Sequence, residues 1–201
     1  MFVIRIPKLY RGERGFTSIE MLTVAATVAV LAAMTAPLVN NMLSAYRLSG
    51  DARSVANQVA VAKMRASSLY TNTRFYADLA AQQYHIDIWQ KGGAGWTLEG
   101  ASTSLADSFG VGVAATPPPN TQAAIAQAAA CTTNGGAAIG NTACVVFNSR
   151  GLPVDATGTP TGANAFYITN GQTLYGITIS ATGMTRVWRS KNAAAPSWVL
   201  Q

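Results

Sequence analysis

The chain is short of charge. Only 11% of its 201 residues are Asp, Glu, Lys or Arg, against roughly 25% in ordinary soluble domains. One His and two Cys exclude a zinc finger, a multi-cysteine metal cluster and a disulfide-dense scaffold. Between Glu20 and Arg47 no charged side chain occurs at all. What is there instead is apolar, 49% of the residues, which is enough for a modest core and too much for a disordered chain.

The formal charge of +6 comes from 14 basic and 8 acidic residues, unevenly placed. Residues 1–15 hold Arg5, Lys8, Arg11 and Arg14 against Glu13. After Asp107 stand Arg150, Arg186, Arg189 and Lys191 against Asp155 alone. Both ends are basic and the middle is balanced.

Residues 21–39 read MLTVAATVAVLAAMTAPLV, apolar apart from threonine. A helix of about 20 residues spans the ~30 Å hydrocarbon core of a bilayer. A cleaved secretory signal would have a shorter apolar run, about 7–15 residues, followed by a small-residue site; Ala32-Ala33-Met34 imitates one weakly. A soluble core helix without a polar face is unusual in so small a domain. A membrane anchor fits best. The cations before the run hold the N-terminus in the cytoplasm and send the chain beyond Pro37 to the other side. Pro37 removes one helical hydrogen bond, which neighbouring helices can re-satisfy. Glu20 stands at the mouth of the span, where a carboxylate is costly unless a cation meets it; a solvated Glu20, or one paired with Arg14, is the plainer alternative.

Gly15-Phe16-Thr17-Ser18-Ile19-Glu20, behind a basic leader and ahead of this helix, closely resembles the signature of type IV prepilins and pseudopilins. The resemblance implies that a membrane prepilin peptidase, also an N-methyltransferase, cuts after Gly15 and methylates Phe16. It makes 1–15 the leader and Phe16, Glu20 and Pro37 the assembly residues. Ser18 stands where the family more often has Leu. A cut at Gly15 creates an α-amine about 6 Å from Glu20 along one helix axis. Glu20 of an incoming subunit is then able to meet the amine of a neighbour already in the fibre, a pairing far stronger in low dielectric than at a surface.

Beyond Pro37, Leu38, Met42, Ala45, Leu48, Ala52, Val55, Val59, Ala62, Ala66 and Leu69 recur at helical spacing. One long helix over 16–69 is expected, with Gly50 a weak point. From residue 70 the texture becomes short alternating runs, predicting strands at 73–79, 84–90, 95–99, 109–113, 143–148, 165–169, 174–180 and 185–189. The expected class is α+β, a long N-terminal helix packed on an antiparallel β-sheet domain over 70–201. Residues 114–140, rich in Ala, Gly and Pro, predict a surface insertion, with a short helix at 122–130. If this domain is exported, a Cys131–Cys144 disulfide is the natural pairing. A metal site would need two further ligands, and His85 is the single His.

The segments Val145–Gly151 and Ile177–Val187 are similar to the C-terminal half of the GspH/FimT group of minor pseudopilins and minor pilins. That likeness implies a structural subunit at or near the tip of a type IV pilus or a type II secretion pseudopilus. Its partners would be other pilin or pseudopilin subunits, in the inner membrane and then in the fibre. It also raises a second function. Arg186, Trp188, Arg189 and Lys191 interleave cations with an indole, a pattern suited to phosphates and stacked bases. Pilins of the FimT kind bind DNA through C-terminal arginines, although the Gly183-to-Arg spacing here departs from their Gly-Arg-x-Arg pattern. A solvated edge strand blunted by charge is the simpler expectation, and 196–200 reads as a docking tail.

His85, Asp87 and Trp89 alternate onto one strand face, where His85 and Asp87 are able to pair. The solvent face of a strand is the simpler expectation there as well. There is no Gly-x-Ser-x-Gly elbow, H-E-x-x-H or P-loop. No enzyme, metal or cofactor is expected.

Overall fold

The computed structural model describes residues 15–93, 95–110, 126–162, 164–194 and 196–201, with residues 36–38 described by backbone only. The chain divides into two compact units, Met1–Met42 and Leu43–Gln201. Helix α1, Ser18–Leu69, contributes to both. The expected leader falls outside the described residues apart from Gly15, as do residues 111–113 of the strand expected at 109–113 and the prolines at 117–119.

In the first unit α1 starts on a reciprocal cap. Glu20 N–H donates to Thr17 Oγ1 at 3.3 Å, and Thr17 N–H donates to Glu20 Oε2 at 3.4 Å. This Thr-x-x-Glu box satisfies two of the donors that every helix start leaves open. Further along, Thr23 Oγ1 donates to the Glu20 carbonyl, Thr27 Oγ1 to Val24 and Thr35 Oγ1 to Ala32, at 2.8–3.1 Å. The three hydroxyls in the apolar run are thus satisfied within the helix. Ile19, Leu22, Val28, Leu31 and Met34 are all exposed. Among the described residues α1 is the one helix long and apolar enough to cross a membrane.

In the second unit α1 buries one face, Leu48, Ala52, Val55, Val59, Ala62 and Ala66, each fully. That is the stripe read from the sequence, now bounded: Met42 and Leu69 are exposed. Three of its six members are Ala, so half of this buried face is made of small side chains.

Two antiparallel sheets complete this unit. The strands are β1 (Thr73–Asp78), β2 (Gln83–Gln90), β3 (Gly95–Ser104), β4 (Ser108–Phe109), β5 (Thr142–Phe147), β6 (Pro153–Val154), β7 (Asn164–Thr169), β8 (Leu174–Ile179), β9 (Thr185–Ser190) and β10 (Val199–Leu200). The first sheet has order β3-β2-β1-β5-β6 and the second β10-β9-β8-β7-β4. Phe75, Tyr84, Ile86, Val145 and Phe147 from the first sheet meet Phe166, Ile168, Ile177 and Ile179 from the second, and α1 joins the same core. Phe75 lies edge-on to Phe166 with centroids 4.8 Å apart. Each such fully buried side chain contributes about 1.5–3 kcal/mol. Polar ties fix the helix: Ser54 Oγ lies 2.6 Å from Tyr84 Oη, and Thr73 Oγ1 donates to the Ala62 carbonyl at 2.6 Å.

Two expectations are corrected. Residues 126–130 form no helix; Gln127 bridges Ala165 in parallel, and 122–125 lie outside the described residues. The described part of the insertion is mostly exposed but tied to the strands: Ala128 N–H donates to the Ala165 carbonyl and Cys144 N–H to that of Ala129, with Ala128 and Cys131 buried. Strand β9 is not an edge, since β10 pairs with it through Val199↔Arg189 and Leu200↔Trp188.

Candidate functional site

The residues expected to serve assembly lie in the first unit. Phe16 is exposed, and Glu20 is held by Thr17 at the helix start. Its carboxylate also sits in the first turn, where the positive end of the helix dipole favours it. Pro37 lies within α1. The sequence reading missed Thr17, although Thr-x-x-Glu ahead of an apolar run is the written signature of a capping box.

The basic strand is split by its own pleat. Arg186 and Trp188 point to one side of β9, Val187 and Arg189 to the other. Arg186 is exposed. Trp188 packs beside Tyr167, Leu174 and Trp198, and its Nε1–H donates to Thr178 Oγ1 at 2.9 Å. Arg189 is half-buried, its Cζ 5.9 Å from the Tyr175 ring. Lys191 is exposed just past the strand. Trp198 is buried on the molecule's own sheet, 5.9 Å from Tyr167, so the C-terminal tail docks within the chain.

Cys131 and Cys144 form a disulfide with Cα atoms 4.9 Å apart. The loop it closes folds over the outer face of the first sheet. There His85 and Asp87 do pair, His85 Nε2 to Asp87 Oδ1 at 3.2 Å. The face is not a solvent face at Asp87, which is buried together with Arg74. Arg74 donates through Nε and Nη2 to Asp87 Oδ2, both at 2.7 Å, and through Nη1 to the Thr132 carbonyl at 2.6 Å. Its Cζ lies 4.4 Å from the Trp96 ring and 5.2 Å from that of Tyr76. Burial opposes the charge on Asp87, but hydrogen bonds from His85 and Arg74 and the attraction of Arg74 outweigh it and hold the carboxyl below 3.8. Arg74 and Asp87 are direct cross-strand partners, a relationship invisible until the β1–β2 register is known.

No family model matches the chain, and no curated protein does. In overall form it is similar to the minor pseudopilin EpsH of the Type 2 Secretion System of Vibrio cholerae. Identity is 13% and the TM-score 0.42, over 70% of this chain and 95% of that one. Likeness at this level transfers no residue role. Among the described residues no group of three or more His, Cys, Asp or Glu is placed to hold a metal ion.

Proposed function

We propose that the chain is a structural minor pilin or pseudopilin. Prepilin peptidase cuts it after Gly15 and methylates Phe16. Residues 21–39 then hold it in the inner membrane with the second unit in the periplasm. It assembles through α1 and Glu20 into a type IV pilus or type II secretion pseudopilus, at or near the tip.

One observation carries this reading: a single helix exposes its apolar side chains in one unit and buries an apolar face in the other. A helix serving only a soluble core would have no use for Ile19, Leu22, Val28 and Leu31 in the open. The deciding experiment is mass spectrometry of the protein made with a prepilin peptidase. A methylated N-terminus at Phe16 is expected, and a mature chain starting anywhere else ends the reading.

DNA capture by Arg186, Trp188, Arg189 and Lys191 has weaker support, because Arg186 and Arg189 face opposite sides of β9 and Trp188 Nε1 is already bonded. A low-salt gel shift decides it: binding lost in Arg186→Ala/Arg189→Ala keeps that reading, and no shift removes it.

A further inference from the structure

A break in the β2–β3 ladder brings a serine to His85. Glu99 pairs with Ile86 and Thr103 with Tyr84, so Gly100, Ala101 and Ser102 all stand opposite His85 alone. Gly100, at φ 79, lets the chain make this excursion. Bulges of this kind re-aim side chains. Here Ser102 Oγ is placed 3.4 Å from His85 Nδ1, while His85 Nε2 is 3.2 Å from Asp87 Oδ1. The hydrogen-bond partners assign the tautomer. The Asp87 carboxylate accepts from Nε2–H, which leaves the Nδ1 lone pair facing the Ser102 hydroxyl. Two further residues hold the imidazole in place. Tyr76, its cross-strand partner, stacks on the ring at 4.5 Å. Arg74 fixes the Asp87 carboxylate from behind.

We propose that Ser102 is an activated nucleophile that accepts the acyl group of small activated esters, with His85 as general base and Asp87 as a positioning residue. Ser102 Oγ attacks the ester carbonyl carbon and its proton passes to His85 Nδ1. The carbon–oxygen bond to the leaving alcohol breaks, and that alcohol takes the proton from His85, leaving an acyl-serine. Water, deprotonated by His85, then releases the carboxylic acid and restores Ser102. Ser102 is exposed on an open sheet face, which sets the substrate class: reactive and small, not a polymer gripped in a cleft. This inference is independent of the assembly reading.

The test uses the full chain in detergent micelles and a small fluorophosphonate probe, read by peptide mass spectrometry. A single adduct on Ser102 is expected, absent in Ser102→Ala and at least tenfold slower in His85→Gln, since general-base assistance supplies about 10²–10⁴-fold. Asp87→Asn should label more slowly and Asp87→Glu, which restores a carboxylate, should recover much of the rate, whereas a merely structural Asp87 would leave the labelling rate of the folded chain unchanged. Circular dichroism establishes that each variant is folded. If His85→Gln does not fold, the wild-type adduct site and the Asp87→Asn labelling rate decide. No adduct on Ser102, equal labelling of the exposed Ser68 and Ser104, or a folded His85→Gln that labels at the wild-type rate would overturn the proposal.

Discussion

Gly183 is packed on the backbone of Gly151. A Cβ on Gly183 would lie 2.7 Å from the Gly151 carbonyl oxygen and 3.1 Å from Lys63 Nζ. Lys63, on α1, donates to the Gly183 carbonyl at 3.1 Å and to the Thr182 carbonyl at 3.4 Å. Two turns far apart in sequence and the helix therefore meet at one point. Both glycines also have positive φ, 73° at Gly151 and 72° at Gly183.

Gly183→Ala is therefore expected to lose about 1–3 kcal/mol from backbone strain, and more because a carbonyl must move. Gly171→Ala is the control: its φ is 87°, yet nothing lies within 4 Å of the added Cβ. Thermal unfolding of both variants should show the larger loss at Gly183. Equal losses would mean that the contact with Gly151 is unimportant.

Thr17 and Glu20 separate capping from assembly. Thr17→Val removes one side of the box and should cost about 1 kcal/mol of helix stability while fibre incorporation persists. Glu20→Gln keeps a capping side chain but loses the charge, so cleavage should continue and incorporation fail. Sheared-fibre fractionation reads both variants, and normal incorporation of Glu20→Gln would remove the assembly role.

Asp87→Asn leaves the Arg74 guanidinium buried without its carboxylate, and a loss of about 3–5 kcal/mol is expected. Replacing both, Arg74→Met with Asp87→Leu, should recover most of it. The pH dependence has a definite sign. The folded carboxyl lies below 3.8, so its stabilisation is present above about pH 4 and is lost as the pH falls through the lower, folded value. Melting temperature should drop more steeply in acid for the wild-type chain than for Asp87→Asn.

Cys131→Ser with Cys144→Ser should cost about 2–4 kcal/mol. The loosened loop also carries the Thr132 carbonyl that accepts from Arg74. Tryptophan fluorescence should therefore change at Trp96, which lies against Arg74. Unaltered emission and unaltered stability would show that the disulfide does not hold the loop down.

Much of the helix and most strands are legible locally. The Leu48-to-Ala66 stripe has the spacing of one helix face, and eight of the runs from residue 73 onward overlap observed strands. Strands β6 and β10 escape a sequence reading because two residues cannot display an alternation. The short helix expected near 122–130 fails in its described part because Gln127 and Ala128 find partners at Ala165, a tertiary pairing that outweighs alanine's helical preference.

By itself the sequence determined the long helix, its charge-free apolar half, the acid at its mouth and the alternation of the strands, because each comes from chain-local spacing and side-chain solubility. Only the tertiary structure decided that Arg74 neutralises Asp87, that Ser102 reaches His85, and that Arg186 and Arg189 part company across β9. Those outcomes depend on strand register, where a shift of one residue sends every side chain to the opposite face.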